Sequence, residues 1–267
     1  MKRIDSSHNP ELRARAKLKN RRTRAREGRF LIEGAREVSR ALTAGVVLEA
    51  LYLCRHLLGE AGHAAEQQAE AAGVTLTELS EAAFKVLGYR EHPDGVLAVA
   101  ISQEKSLADL TLPHDALVVV IEGLEKPGNL GALLRTAESA GAHALLSTGG
   151  GTDLENPNVI RSSMGSVFSF PALAASGDDL RLWLRDEGFA LVATTPHTQT
   201  LYWDVDYRGR TAVLLGAEHS GLSAAWLEGT PGTQRVRVPM HGSADSLNVA
   251  TTGALLLYEA TRQRRAR

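Results

Sequence analysis

One cysteine in 267 residues, Cys54, leaves no means for an internal disulfide or a cysteine-rich zinc site. Beside Leu51, Tyr52 and Leu53 it reads as a structural residue of a half-buried strand. No run approaches the roughly 20 apolar residues that span a bilayer, and residues 1–29 lack the apolar stretch of a signal peptide, so a cytoplasmic location and no membrane contact are expected. The GxGxxG fingerprint, the phosphate-loop pattern, and the HExxH and CxxC spacings are all missing. Their absence speaks against a nucleotide-dependent oxidoreductase and predicts no bound metal. The nine histidines are scattered. His219 and His241 fall in the loops described below, but no carboxylate at fixed spacing accompanies either.

What is present is a segregation of charge. The net charge is only −1, yet residues 1–30 hold eleven Lys or Arg against three acids, a local balance of +8. The tail adds Arg262, Arg264, Arg265 and Arg267 without an acid. Two basic ends on a neutral body suit a protein that meets a polyanion with part of its surface, though solvated termini explain the same charges. Residues 9–27 read as one helix, polar nearly all round, with Arg13, Lys17, Arg21 and Arg24 on one face and little core to bury.

With 43% hydrophobic residues the chain has material for two cores. Strands are predicted at 30–32, 48–54, 74–77 and 96–101, alternating with helices at 35–44, 63–72 and 81–87. These describe a small α/β domain at 1–105, followed by a linker at 106–115 around Pro113. A second α/β series fills 116–267. Its first strand, 116–121, is a continuous apolar run suited to a parallel strand buried on both faces. Further strands are predicted at 144–147, 167–170, 190–194, 211–215 and 235–238, and helices at 129–140, 159–164, 178–187 and 246–263.

Three strands of this second series run into loops rich in Gly, Pro, Asn, Ser or acids, and in open α/β sheets ligands bind beyond the carboxyl ends of strands. The first loop runs from Glu122 through Lys126-Pro127-Gly128-Asn129 to Gly131, Arg135 and Thr136. Asn129 suits a helix N-cap, with Leu130, Leu133, Leu134 and Ala137 as the packing stripe. Arg135 then points away from that stripe, as a functional group or as a mere ion-pair partner of Glu138. The second loop holds Gly216, Glu218 and Gly221; the third runs from Pro239 to Asn248, where Asp245 or Ser246 suits a cap for the last helix.

Together these loops resemble the three motifs of the SpoU (TrmH-like) ribose methyltransferases of the SPOUT superfamily. They match as Asn129-x-Gly131-x-x-x-Arg135-Thr136, as Gly216-x-Glu218-x-x-Gly221-Leu222, and as Pro239-Met240-x-Gly242-x-x-x-Ser246-Leu247-Asn248-Val249-Ala250. Order and spacing fit, and the third motif is the most specific. Arg161, Ser163, Gly165 and Pro171 fall where family members carry a similar segment. Asn9-Pro10, the basic helix and Phe30-Leu31-Ile32-Glu33-Gly34 resemble the ribosomal-protein-like RNA-binding module that precedes many such catalytic domains. Ala217, His219 and Ser220 depart from the common pattern.

The resemblance implies a C-terminal SPOUT domain with a deep trefoil knot, a homodimer with its active site near the subunit interface, and S-adenosylmethionine as cofactor. Leu215, Gly216, Ala217, Glu218, Val238, Met240, Ser246 and Leu247 would hold the cofactor. Arg13, Lys17, Arg21, Arg24 and Arg161 would contact RNA, with large-subunit ribosomal RNA as first candidate and transfer RNA as second. The implied catalytic set is Arg135, Asn129, Glu218, Ser246 and Asn248. A guanidinium with a pKa above about 12 is a poor base. Arg135 is therefore expected to hold substrate phosphate and stabilise a developing alkoxide, with Glu218, Ser246 or Asn248 organising the proton's exit. A base methyltransferase of the same superfamily, or an RNA-binding protein with a vestigial cofactor site, stay as alternatives.

Overall fold

The computed structural model describes residues 1–265; Arg267 of the basic tail lies outside the described residues. The first part of the chain runs β1 (Lys2–Ile4), α1 (Pro10–Ala16), α2 (Arg21–Glu27), β2 (Arg29–Glu33), α3 (Ala35–Thr43), β3 (Leu48–Leu53), α4 (Glu60–Ala71), β4 (Thr75–Leu79), α5 (Glu81–Leu87) and β5 (Val96–Ile101). It continues as β6 (Leu117–Glu122), α6 (Pro127–Ser139), β7 (Ala144–Thr148), α7 (Pro157–Ser162), α8 (Ser166–Ser169), β8 (Ala172–Ala174), α9 (Gly177–Asp186), β9 (Ala190–Thr194), β10 (Thr211–Leu215), α10 (Ala224–Leu227), β11 (Gln234–Val236) and α11 (Val249–Arg265).

Two compact units result. One is Met1–Glu104 with Glu155–Ser169, the other Lys105–Leu154 with the chain from Phe170 onward. Residues 155–169, expected in the second domain, pack with the first. The reason is apolar burial: Val159 and Ile160 of α7 are wholly inside, and Phe168 stacks on Phe30 with ring centroids 6.2 Å apart. The strand expected at 167–170 is accordingly the helical turn α8, and the strand begins after Pro171. A four-residue apolar run does not separate a strand from a buried helical turn.

The first unit is a five-stranded sheet in the order β1-β4-β3-β5-β2, with β5 antiparallel to β3 and β2 and the other pairs parallel. Cys54 is buried in its core, and burial pushes the thiol pKa up. The helix expected over 9–27 is broken in two. Asn9 caps α1 through its side-chain oxygen, which accepts from the backbone N–H groups of Glu11 and Leu12, and a 3-10 turn at Lys17–Lys19 ends the helix before Asn20 caps α2. The break sends Leu12 and Leu18 into the core, so the segment buries more than its composition suggested. It also leaves carbonyls without helical partners, and Arg24 takes them: Nη1 donates to Leu18 O and Lys19 O, each at 3.0 Å. At 2% exposure Arg24 is an internal strut, which removes it from the RNA-contact set. Arg13, Lys17 and Arg21 are exposed.

The second unit is a six-stranded sheet, parallel throughout, in the order β11-β9-β10-β6-β7-β8. The supposed linker is no free tether, because Leu107, Leu110 and Leu112 pack on this unit's core. Nor is the basic tail merely solvated. Arg262 pairs with Glu259, and the Arg264 guanidinium donates to the carbonyls of Tyr207, Gly209 and Asp115. Gln263 Oε1 accepts from Tyr207 N and its Nε2 donates to Val205 O, both at 3.0 Å. Among the described residues no helix is long and apolar enough to cross a membrane.

Candidate active site

Because every strand of the second sheet runs the same way, all its C-terminal ends open on one edge. Strands β6 and β10 are neighbours in register, Leu117 opposite Thr211 and Ile121 opposite Leu215, so the loops that follow them start level. Gly216 is required there: a Cβ would lie 2.1 Å from the carbonyl carbon of Gly221 and 2.2 Å from Leu222 N, both backbone. The loop is thus folded flat on itself and closed by Gly221 N to Ala217 O at 3.0 Å.

The loop after β6 turns at Gly123 (φ 68°) and enters α6 with Lys126 as N-cap and Pro127 in the first turn. Asn129 is therefore inside the first turn and not the cap. From there its side chain reaches both other loops. Asn129 Nδ2 donates to Glu218, which also accepts from Lys126 Nζ, and Asn129 Oδ1 accepts from Asn248 Nδ2 at 3.1 Å. Asn248 meanwhile starts α11, with its Oδ1 accepting from Ala250 N at 2.9 Å. Lys126 is exposed and Glu218 mostly covered, 65% against 19% by side chain, so an exposed cation pairs with a largely covered carboxylate. A second tie joins the first two loops: the Glu122 carboxylate accepts from Ser223 N at 2.7 Å and Ser223 Oγ at 2.8 Å. Lys126, Glu122 and Ser223 were missed by motif spacing. The one signal in the sequence was that Lys126 is the cation of a loop that otherwise carries acids.

The structure brings together three of the expected catalytic residues, Asn129, Glu218 and Asn248. Arg135 stands apart. It is exposed on α6, six residues beyond Asn129, which is about 9 Å along the axis and about 240° around it. It forms no hydrogen bond or ion pair among the described residues, so the simple pairing with Glu138 is not its role. Ser246 is exposed, and its side chain bonds to nothing among the described residues. Leu215 is fully buried, leaving its backbone as the only part able to meet a ligand, while Val238 and Met240 are half-buried and Leu247 is exposed. Arg161 is carried on α7, in the first unit.

A nucleoside-bearing cofactor needs neutral donors and acceptors at its base edge and apolar contact on its faces. None of the backbone N–H groups between Val238 and Leu247 meets a protein acceptor among the described residues, and Met240 and Leu247 offer apolar surface in the same stretch. That donor set fits S-adenosylmethionine.

A parallel open sheet with two loops bonded to a third on the carboxyl edge of its strands defines a ligand-binding α/β domain. This chain belongs to the SpoU rRNA methylase family, matched over residues 116–258, and residues 9–98 match the MRM3-like substrate binding domain. It is 34% identical to the 23S rRNA (uridine(2479)-2'-O)-methyltransferase of Streptomyces viridochromogenes over 264 residues, 93% of this chain and 88% of the relative. A crystal structure of an RNA 2'-O ribose methyltransferase shares 49% identity and a TM-score of 0.85, covering 98% of this chain and 99% of its own. The AdoMet-bound rRNA methyltransferase from Sinorhizobium meliloti has a TM-score of 0.88 at 29% identity, covering 98% and 97%. The resemblance read from the three motifs and the two-domain α/β class both hold.

Proposed function

We propose that this protein transfers a methyl group from S-adenosylmethionine to a ribose 2'-hydroxyl of large-subunit ribosomal RNA, in the cytoplasm. The observation that carries the reading is the chain Asn248–Asn129–Glu218–Lys126, which ties all three motif loops at one edge of the sheet. Family membership and the activities of the relatives support it.

Bound S-adenosylmethionine supplies a methyl activated by the positive sulfonium. Leu215 to Glu218 and Val238 to Leu247 hold it, chiefly through backbone groups. What remains for the protein is alignment and charge. Arg135, unpaired and exposed, is free to grip substrate phosphate and to stabilise the alkoxide that develops on the ribose oxygen. Glu218 is bonded by Lys126 and Asn129, and with Ser246 it organises the proton's exit. Asn248 positions Asn129 and starts α11. Since Arg135 and Asn129 face different directions, one complete site takes Arg135 from a partner chain in a homodimer formed by the second unit. A shallow groove along α11 lined by Tyr202, Leu255 and Tyr258, the last 53% exposed, supports such an assembly. Insertion of β10 between β9 and β6 is compatible with the family's trefoil knot.

The test is incubation of the purified protein with isotopically labelled S-adenosylmethionine and unmodified ribosomal or transfer RNA, followed by digestion to nucleosides. Label in a 2'-O-methylated nucleoside of ribosomal RNA is expected. Label on a base, on transfer RNA alone, or nowhere would overturn the reading.

A further inference from the structure

Arg161 lies within the catalytic family's sequence span, yet α7 is built into the first unit. Pro157, Val159 and Ile160 form the buried side of α7, and Asn158 and Arg161, one turn apart, form its outer side. Helix α3 is arranged in the same way, with Val38 and Ala41 inside and Arg36 and Arg40, again one turn apart, outside.

The two helices are joined at one turn. Arg40 Nη1 donates to Met164 O at 3.0 Å, and Met164 N in turn donates to Arg161 O at 3.0 Å. Met164 is the non-glycine residue with positive φ among the described residues, at 56°, and Gly165 follows at 83°. A Cβ on Gly165 would sit 3.1 Å from Arg40 Cδ and 3.4 Å from Glu37 Cα. The turn is therefore pressed onto the backbone of α3, and that packing holds Met164 in a conformation that L side chains rarely adopt. Its effect is to bring the last turn of α7 beside the outer face of α3.

Arg36, Arg40 and Arg161 are exposed. Arg161 has no ion pair among the described residues, and Arg40 bonds to a carbonyl and not to a carboxylate. Arg36 pairs with Glu37, but that carboxylate is buried and shared with Arg90, so cations face outward over an acid beneath. Around α1 and α2 several cations are already engaged: Arg15 and Arg29 share Glu49, Arg26 pairs with Glu27, and Arg24 is internal.

The geometry points to a second RNA-docking surface on the first unit, formed by α3 and α7, where Arg36, Arg40 and Arg161 bind the phosphate backbone of the substrate. The inference rests on the methyltransferase reading above. It means that Arg161 belongs to the unit that recruits RNA and not to the unit that holds the cofactor. Phosphate contacts of this kind fix position on the RNA without reading bases.

The experiment uses the full-length protein with Arg36→Gln and Arg161→Gln together, leaving Arg40 to hold the Met164 turn. Affinity for an unmodified transcript of large-subunit ribosomal RNA is measured across potassium chloride concentrations, beside S-adenosylmethionine affinity and the KM for RNA. The slope of log affinity against log salt should flatten by roughly 0.7–0.9 for each phosphate that is no longer neutralised, and the KM for RNA should rise, with cofactor affinity unchanged. If the double variant misfolds, Arg161→Gln alone gives the same readout for one phosphate, since its side chain supports nothing. An unchanged slope and KM, or weakening seen only when Arg13 and Lys17 are neutralised, would overturn the surface while wild-type methyl transfer still upholds the enzyme. A wild-type protein that methylates no RNA would overturn both.

Discussion

Asn248 Nδ2 donates to Asn129 Oδ1 at 3.1 Å across 119 residues of sequence, and the same Asn248 starts the final helix by accepting from Ala250 N. One side chain thus sets the end of the third loop against the start of α6. Asn248→Ala removes both bonds. Loss of such a cap costs about 1 kcal/mol, so thermal stability should fall modestly while S-adenosylmethionine affinity by calorimetry drops more clearly. Unchanged cofactor affinity would mean that the third loop is positioned by other groups.

Arg135 should behave in the opposite way. Its side chain bonds to nothing among the described residues, so Arg135→Ala should leave stability and cofactor affinity intact. Turnover on RNA should fall by a factor on the order of 10² to 10³, the range for loss of one transition-state donor. Full activity in a single-turnover assay would return Arg135 to the status of a surface residue.

Gly216→Ala tests whether the flat loop after β10 matters. The added methyl meets backbone of the same loop at 2.1 Å, and overpacking of about 1–3 kcal/mol, if borne by the bound state, corresponds to a loss of roughly fivefold to 150-fold in cofactor affinity. Gly209→Ala, where a Cβ would find open space, is the matched control. Equal affinities in the two variants would show that the loop relaxes without consequence.

Arg24→Met removes hydrogen bonds from a buried cation to two carbonyls and should destabilise the protein by roughly 2–3 kcal/mol in urea unfolding. Exposed Arg13→Ala should stay within about 0.5 kcal/mol of wild type. A stable Arg24→Met protein with weakened RNA binding would restore Arg24 as a direct RNA ligand.

Glu33 gives a pH dependence of defined sign. Its Oε2 accepts from Tyr89 N at 2.7 Å and Arg90 N at 3.1 Å, its Oε1 has no partner, and burial pushes its pKa above the ordinary carboxylate value. The folded state then holds the proton more tightly than the unfolded state. Its contribution to stability is present below the unfolded value and is lost as pH rises through the folded one. Glu66, held low by its bonds to Arg55, acts oppositely and loses its contribution as pH falls. Comparison of Glu33→Gln with wild type isolates the first effect: the difference in urea midpoint should move in the variant's favour as pH rises from the ordinary carboxylate range. A difference independent of pH would show that Glu33 does not titrate between the two states.

Much of this protein is written locally. The periodicities at 81–87 and 96–101 mark α5 and β5 to the residue, because a helix stripe and a strand run each repeat within a few positions. The three motifs mark the catalytic half for the same reason: turns that need glycine and caps that need Asn or Ser leave fixed short-range spacings. Tertiary structure alone decided the rest. Asn129 meets Glu218 over 89 residues and Asn248 over 119, and Glu122 meets Ser223 over 101, distances across which no period connects partners. Residues 155–169 lie inside the catalytic sequence but join the other unit, since an apolar face shows that it must be buried without showing against what. The strip of arginines at 13–24 was divided by a 3-10 turn that turned Arg24 inward, because carbonyls freed by a helix break are satisfied by whichever donor the fold brings to them.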